Sequence, residues 1–339
     1  MRRSQQGVAL ILVLLIFAIV SVLATVLIQR QSADAQRAYS QFSTLQARTM
    51  VDGVESVVRS GLRMDWDADP DIDHSLEEWN IDRTFPMDNG MVFVHIADAQ
   101  GRFNLNWLSP SSTNQAVWQQ RFYNLLNDLG LNVEIAQQVA NWMNEESQVD
   151  NDYLGLEVPY RAAYNLCKHT SDIMLVTDVT AEVYKQLEPY IACLPVDTQL
   201  NINTASWAVL TALDTDFDAT AAAAVITARG DSGFAAVADF MELEEVKTAS
   251  TAKDEDSSTR QSSSDSDSTT ASNSWAAEDF SVKTQYFEVF AQVGVGEAAE
   301  WIATSEFLLK RDASTAAFTT LYRDFSRRKA RVTPDVAGT

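Results

Sequence analysis

The sequence predicts an α+β fold in which one long N-terminal helix packs on an antiparallel sheet. The chain has an uncharged run from Val8 to Ile28. A polar stretch without proline follows it as far as Arg63. Two separated segments, near residues 90 and 290, alternate like strands, and the stretch between them is rich in alanine and leucine, which favour helices. A chain of 339 residues with 46% apolar side chains can bury more than one core.

The apolar run at 8–28 is long enough to cross a membrane. Only Ser21 and Thr25 interrupt it, and at about 1.5 Å per residue it spans a hydrocarbon layer of roughly 30 Å. Arg2 and Arg3 precede the run, which favours a cytoplasmic N-terminus and places the C-terminal body across the membrane. Residues 29–63 continue with an apolar stripe, so we expect one helix, half in lipid and half amphipathic.

Strands are predicted on both sides of the alanine-rich stretch. Residues 90–96 are β-branched and aromatic, and we expect 101–105 to pair with them across the Asp98–Gly101 turn. These strands and the C-terminal ones most economically form one antiparallel sheet on the long helix, which gives an α+β module of residues 29–108 and 280–330. The C-terminal strands are predicted at 284–295, 301–310 and 319–323.

Residues 109–248 form a predicted all-α domain inserted in that module. Phe103–Asn106 and Leu200–Asn203 each contain an N-x-N pattern before a pair of helices, a faint repeat similar to helix-hairpin-helix or SAM-like folds. Such hairpins often bind DNA backbones. A net charge of −22 repels phosphates, however, so we do not expect nucleic acid as a partner.

Two stretches are too polar to pack. Residues 249–275 are almost entirely Ser, Thr, Asp, Ala and Lys and cannot bury enough apolar surface to offset chain entropy, so we predict a disordered linker. Aspartates alternate from Asp65 to Asp73. We interpret them as a solvated surface loop rather than an EF-hand, because Ile72 stands where that loop needs glycine.

The residue pattern does not indicate an enzyme. The three histidines, His74, His95 and His169, fall in no triad or metal-hydrolase spacing. The GxSxG, Walker and HExxH motifs are absent from the sequence. We therefore expect a structural or binding role.

A short basic leader ends in Gly7 directly before the apolar run, an arrangement that resembles the type IV prepilin class. The resemblance implies a pilin-like fold, cleavage by a prepilin peptidase between Gly7 and Val8, and methylation of Val8. Most members have glutamate as the fifth mature residue, where this chain has Leu12. The missing glutamate is the mark of the general secretion pathway protein K family, the minor pseudopilins of type II secretion.

Ordered segments further along the chain resemble the same family. Asp98–Asn106 is similar to its D-x-x-G-x-x-N-x-N segment. The resemblance runs from Arg2 to about Phe240 and resumes near Phe280. The other similar segments are Val139–Trp142, Pro159–Ala162, Leu187–Tyr190 and Ile202–Ser206.

The resemblance implies a subunit that caps the tip of the secretion pseudopilus. Such a subunit starts assembly with minor pseudopilins of the I, J and H types and with the major pseudopilin, and supports export of folded proteins across the outer membrane. The secretin and exoproteins are further expected contacts. The chain would be a single-pass inner-membrane protein with its body in the periplasm. The alternative is a membrane-tethered periplasmic adaptor or minor pilin that docks a secreted substrate or surface ligand.

Hard oxygen donors cluster in the loop after Trp142 and suit calcium. The family carries calcium in a loop at this position, although here two of the expected charges are lost or lengthened. The alternative is a merely solvated acidic loop. The candidate ligands are Asn144, Glu146, Asp150, Asn151 and Asp152.

The cysteines are Cys167 and Cys193. In an oxidising compartment they could pair as a disulfide that closes a modest loop. Two unpaired thiols that pack as small core residues are the alternative.

Overall fold

The computed structural model describes residues 5–87, 90–250, 275–295 and 300–326. Predictions for residues 1–4 of the leader, for 251–274 of the polar linker and for 327–330 of the C-terminal module fall outside these ranges. The backbone at Gly7 and Val8 lies within the first helix.

The N-terminal segment is one continuous helix, α1 (Gln5–Ala68), of 64 residues. At 1.5 Å per residue it is about 96 Å long. Residues 10–28 are exposed, and within the described residues α1 is the helix long and apolar enough to cross a membrane. Its second part packs on the sheet through a stripe at helical spacing. The buried members of that stripe are Ala47, Val51, Val54, Val58 and Leu62.

Five strands form an antiparallel sheet in the order β1-β2-β7-β8-β9. Two pairs of short strands, β3 with β4 and β5 with β6, are parallel. Since β2 lies beside β7, the two ends of the body meet in one sheet, and the predicted α+β class is confirmed. The strands are β1 (Arg83–Met87), β2 (Gly90–Asp98), β3 (Phe103–Asn104), β4 (Ile191–Ala192), β5 (Leu200–Asn201), β6 (Phe280–Ser281), β7 (Tyr286–Val295), β8 (Glu300–Arg311) and β9 (Phe318–Asp324).

The predicted pairing of 101–105 with β2 is wrong. β3 pairs with β4 instead, because the chain turns away from the sheet at Gly101. A Cβ atom on Gly101 would lie 2.7 Å from the carbonyl oxygen of Thr204, so this close approach requires glycine. The turn therefore leads into the helical region rather than back along β2.

Strand β1 was not predicted, because the polar stretch at 64–89, interrupted by Pro70 and Pro86, indicates a surface connection. All five of its residues are exposed, so it lacks the alternation that marks a half-buried strand. It contains Pro86, which an edge strand tolerates because one side of it needs no ladder hydrogen bond. The register places Pro86 opposite Met91 of β2.

The residues between β2 and β7 build a second core. Its centre is a set of packed aromatic rings, with the rings of Trp107 and Trp118 stacked at 3.8 Å and those of Phe103 and Phe122 at 4.9 Å. A further helical segment covers residues 244–250. The helices of this region are α2 (Gln115–Asp128), α3 (Ile135–Met143), α4 (Asp150–Leu154), α5 (Ala181–Leu187), α6 (Trp207–Thr211), α7 (Ala219–Arg229) and α8 (Val237–Met241).

The sheet core is separate from the helical core. It contains the buried stripe of α1 and the inward side chains of β2, β7 and β8. Polar contacts also fix α1 on the far sheet edge, where Arg59 Nη1 donates to the carbonyl of Phe318 at 2.7 Å and Thr320 Oγ1 donates to Glu55 Oε1 at 2.6 Å. The domain limits at 108/109 and 248/249 stay a prediction.

Truncating Phe287 tests the sheet core. This side chain is fully buried and packs edge-on against Trp79 with ring centroids 5.3 Å apart. We expect Phe287→Ala to lower the free energy of unfolding by about 3–5 kcal/mol, because it leaves a cavity. Val57→Ala, at a side chain 64% exposed on α1, should change it by less than about 0.5 kcal/mol. Urea titration of the full chain in detergent gives both values; equal losses would contradict this core.

Candidate functional site

A buried carboxylate, Asp98 at the end of β2, joins three parts of the chain. Its Oδ1 accepts from the backbone nitrogen of Gln100 at 2.7 Å. Its Oδ2 accepts from Asn201 Nδ2 at 2.9 Å, Thr204 Oγ1 at 2.6 Å and Thr284 Oγ1 at 2.6 Å. The sheet, the second N-x-N segment and the chain before β7 therefore meet at one side chain, the Asp98 junction.

Burial raises the pKa of Asp98 to about 6. The hydrogen bonds from Thr204 and Thr284 act in the opposite direction, and the nearby charge of Asp73 adds to the rise. The ionised carboxylate is thus tolerated only because donors surround it.

Two further side chains, Gln100 and Arg102, hold the helical region against the sheet. Gln100 Nε2 donates to the carbonyl of Gln199 at 3.0 Å, and Gln100 Oε1 accepts from the backbone nitrogen of Tyr286 at 3.2 Å. Arg102 forms a buried ion pair with Glu288 of β7, at 3.0 Å between Nη1 and Oε2. Removing one partner of such a pair would leave the other charge buried and uncompensated.

The N-x-N repeat predicted from the sequence has a structural counterpart. Asn106 donates through Nδ2 to the carbonyls of Cys167 and Leu194, at 2.9 and 2.8 Å. Asn203 accepts through Oδ1 from the backbone nitrogen of Phe234 at 2.7 Å and donates through Nδ2 to its carbonyl at 3.1 Å. In each unit the second asparagine ties a distant loop to the strand.

The structure joins Cys167 and Cys193 through a disulfide, with their Cα atoms 5.5 Å apart. That distance suits a disulfide. The bond lies beside the Asn106 contacts, since the backbone of Cys167 also donates to Asn106 Oδ1 at 2.8 Å. Of the two alternatives for these cysteines, the structure contains the bonded pair.

The predicted calcium ligands after Trp142 make other contacts. Asn144 Oδ1 accepts from the backbone nitrogen of Glu146 at 3.0 Å and caps a short 3₁₀ helix. Asp150 Oδ2 pairs with Arg161 Nη1 at 2.7 Å, and Asp150 Oδ1 accepts from the nitrogen of Ala162 at 3.1 Å. Asn151 and Asp152 follow in α4. Calcium in this loop stays a prediction.

A second acidic group lies where α1 ends. Side-chain oxygens of Asp65, Asp73 and Glu77 lie within 4.8 Å of one another. Asp73 is only 2% exposed, so interpreting this stretch as a wholly solvated loop is wrong for it. Its burial depends on Arg311 Nη2 and on the nitrogen of Thr284, both of which donate to Asp73 Oδ2.

These carboxyl groups affect one another's ionisation. Burial raises the pKa of Asp65 to about 6, and the charge of Asp73 adds to the rise. Burial raises the pKa of Glu77 to about 8, with hydrogen bonding from Trp79 acting in the opposite direction. The other aspartates of the alternating series lie outward, Asp67 against Arg63 at 2.9 Å and Asp71 against Lys283 at 2.7 Å.

An apolar groove of about 1320 Å³ runs between α1 and strands β1 and β2. Large apolar side chains on both walls are exposed, at 66% for Phe42, 64% for Val57 and 43% for Phe85. A contiguous exposed apolar surface of this kind is typical of a protein–protein contact. Sequence reasoning missed the groove because its second wall, β1, was missed. The other exposed apolar side chains along it include Leu45, Met64, Ile81 and Met87.

A long apolar N-terminal helix packed on an antiparallel sheet defines the pilin-like class of membrane-anchored proteins. The profile of the family described as type II secretion system (T2SS), protein K matches residues 101–196 and 200–259. Type II secretion system protein K of Pseudomonas aeruginosa is 32% identical over 324 residues, which cover 90% of this chain and 89% of the relative. That of Klebsiella pneumoniae is 27% identical over 74% of this chain and 83% of the relative. The chain belongs to the type II secretion system protein K family.

A solved structure shares the fold. It is the crystal structure of the GspK–GspI–GspJ complex of the type 2 secretion system of enterotoxigenic Escherichia coli, with a TM-score of 0.69 and 23% identity. The match covers 86% of this chain and 100% of the solved one. Membership of the family makes the chain a structural pseudopilin component rather than an enzyme.

The Asp98 junction predicts a pH-dependent effect of Asp98→Asn. The pKa of Asp98 rises from 3.8 to about 6 on folding, so the folded state binds more protons than the unfolded state between these values, and stability falls as pH rises through them. Asparagine cannot titrate. We expect the unfolding free energy of the native chain minus that of the variant to fall by roughly 2–3 kcal/mol from pH 4 to pH 6.5.

Urea titrations at several pH values measure this difference. Asp128→Asn is the matched control, because Asp128 is exposed, and its difference from the native chain should be flat over the same range. A flat or rising difference for Asp98→Asn would contradict the junction.

Proposed function

We propose that this chain is the minor pseudopilin at the tip of the type II secretion pseudopilus. It starts assembly with minor pseudopilins of the I, J and H types, the major pseudopilin adds below, and the filament supports export of folded proteins across the outer membrane. The observation that carries the proposal is the apolar groove beside α1. It leaves one side of the helix that anchors the subunit free for the helix of a neighbour.

Two sequence features support the tip position. Leu12 stands at the fifth residue after Gly7, where a filament subunit would need a carboxylate to meet the terminal amine of its neighbour. The helical region between β2 and β7 adds a second core beside the sheet and would obstruct a subunit above it. The solved relative that shares the fold was crystallised with GspI and GspJ, which supports I-type and J-type partners here.

The proposed location is the inner membrane, with the body in the periplasm. The exposed apolar part of α1 supports a single membrane crossing. The disulfide between Cys167 and Cys193 supports an oxidising compartment for the body. The periplasmic body would therefore be the part that contacts the secretin and the exoproteins.

Charges placed in the groove test the assembly role. Val57→Glu and Phe85→Glu change exposed side chains on opposite walls, so folding should be retained. We expect recovery of I-type and J-type partners with the tagged full chain to fall at least about tenfold, because a buried unpaired carboxylate opposes association. Met174→Glu, at a side chain 43% exposed on the helical region, is the matched control and should recover both partners.

The outcomes separate the proposed function from its alternative. Undiminished recovery with both groove variants would reject the groove as the assembly surface. Capture of a secreted substrate but of no sister pseudopilin by the native chain would favour the membrane-tethered adaptor.

Maturation between Gly7 and Val8 gives a further prediction. On co-expression with a prepilin peptidase, the intact mass should correspond to a chain that begins at N-methylated Val8. Gly7→Val should leave residues 1–7 attached, because the peptidase acts after the glycine. Gly61→Ala is the control, since an added Cβ there meets no atom within 4 Å and cleavage should proceed. Cleavage of Gly7→Val at the same bond would contradict this assignment.

A further inference from the structure

The acidic group at the end of α1 has the geometry of a cation site. Asp65 belongs to the last turns of α1, whereas Asp73 and Glu77 belong to the loop that leads towards β1. Oxygens of all three lie within 4.8 Å of one another. Two ligands of one calcium ion can be separated by up to about 5.2 Å, twice the longest calcium–oxygen bond, whereas magnesium allows only about 4.2 Å.

One oxygen in this group lacks a partner. Asp73 is 2% exposed, and its Oδ1 is buried without a hydrogen bond in the described part of the chain. Its other oxygen, Oδ2, accepts from Arg311 and from the nitrogen of Thr284. A buried carboxylate oxygen with no donor is strongly destabilising, and a metal ion would satisfy it.

The carboxylate oxygens of the other two candidate ligands can still coordinate an ion. Glu77 accepts from the nitrogen of His74 at 3.2 Å and from Trp79 Nε1, one donor on each oxygen. Since a carboxylate offers about four lone-pair sites, each oxygen retains one for coordination. Asp65 is half-buried beside them.

The charges around the group are unbalanced. Three carboxylates converge, and within the described residues the cationic side chains that contact them are Arg311 and, when protonated, His74, whose Nε2 is 3.6 Å from Glu77 Oε1. Asp69 and Glu78 add negative charge near Asp65. A divalent cation would supply the missing positive charge.

We propose that Asp65, Asp73 and Glu77 bind one calcium ion, at a site separate from the loop after Trp142. The ion links the end of α1 to the loop before β1. Through Asp73 it also connects to Arg311 of β8 and to Thr284 before β7. Calcium therefore fixes the direction in which α1 leaves the sheet, and it stabilises the folded body.

Calorimetric titration of calcium into the chelator-treated full chain in detergent tests this. We expect a saturable binding event that Asp65→Asn and Glu77→Gln each weaken at least about tenfold. Asp67→Asn removes a neighbouring carboxylate paired with Arg63 and is the matched control. Asp152→Asn tests the loop after Trp142. Both should leave the event unchanged.

Thermal unfolding separates a lost ligand from lost folding. Calcium should raise the Tm of the native chain and of Asp67→Asn but not that of Glu77→Gln, whose Tm without calcium should be no lower than native. No calcium binding by the native chain, or binding unchanged in both ligand variants, would overturn the proposal.

Terbium luminescence gives a measurement that changes no ligand. Trp79 Nε1 donates to Glu77, so excitation of Trp79 should sensitise a terbium ion bound there, and calcium should compete it away. We expect Trp79→Phe to lower the signal and Trp142→Phe, beside the other loop, to preserve it. Loss of the signal only in Trp142→Phe would move the ion to the 144–152 loop and overturn the assignment.

Discussion

The relation between the two cores depends on the buried carboxylate of Asp98. Its donors on Asn201 and Thr284 are 103 and 186 residues away in sequence, so one side chain connects the sheet, the helical region and the returning chain. A buried carboxylate without donors would destabilise the fold by several kcal/mol, and that cost makes the arrangement specific. The ion pair of Arg102 with Glu288 is a second buried connection across the same boundary.

The contacts that fix the helical region leave α1 with three different kinds of surface. Residues 10–28 are apolar and exposed, one side of the second part of α1 packs on the sheet, and the adjacent side forms a wall of the apolar groove. The groove needs an exposed edge strand as its other wall, which β1 supplies. The acidic group at the end of α1 lies where the helix leaves the sheet, so an ion bound there would act on the orientation of both walls.

Local properties could be predicted from the sequence, whereas distant contacts could not. Hydropathy and alternation are visible over a few turns, so the long apolar helix at 8–28 and the strand at 284–295 were predictable. β1 has no alternation, and the groove was missed with it. The burial of Asp73 depends on Arg311, which is 238 residues further along, and no local pattern indicates that pairing. Similarly, the contact of Gly101 with Thr204 diverts β3 away from β2.

The proposed tip position rests on Leu12, which offers no carboxylate to a neighbour's terminal amine, and on the helical region, which would obstruct a subunit above it. Electron microscopy of assembled pseudopili with a gold label on this chain measures its position directly. We expect label at one end of each filament and none along the shaft. Label distributed along the shaft would contradict the tip position.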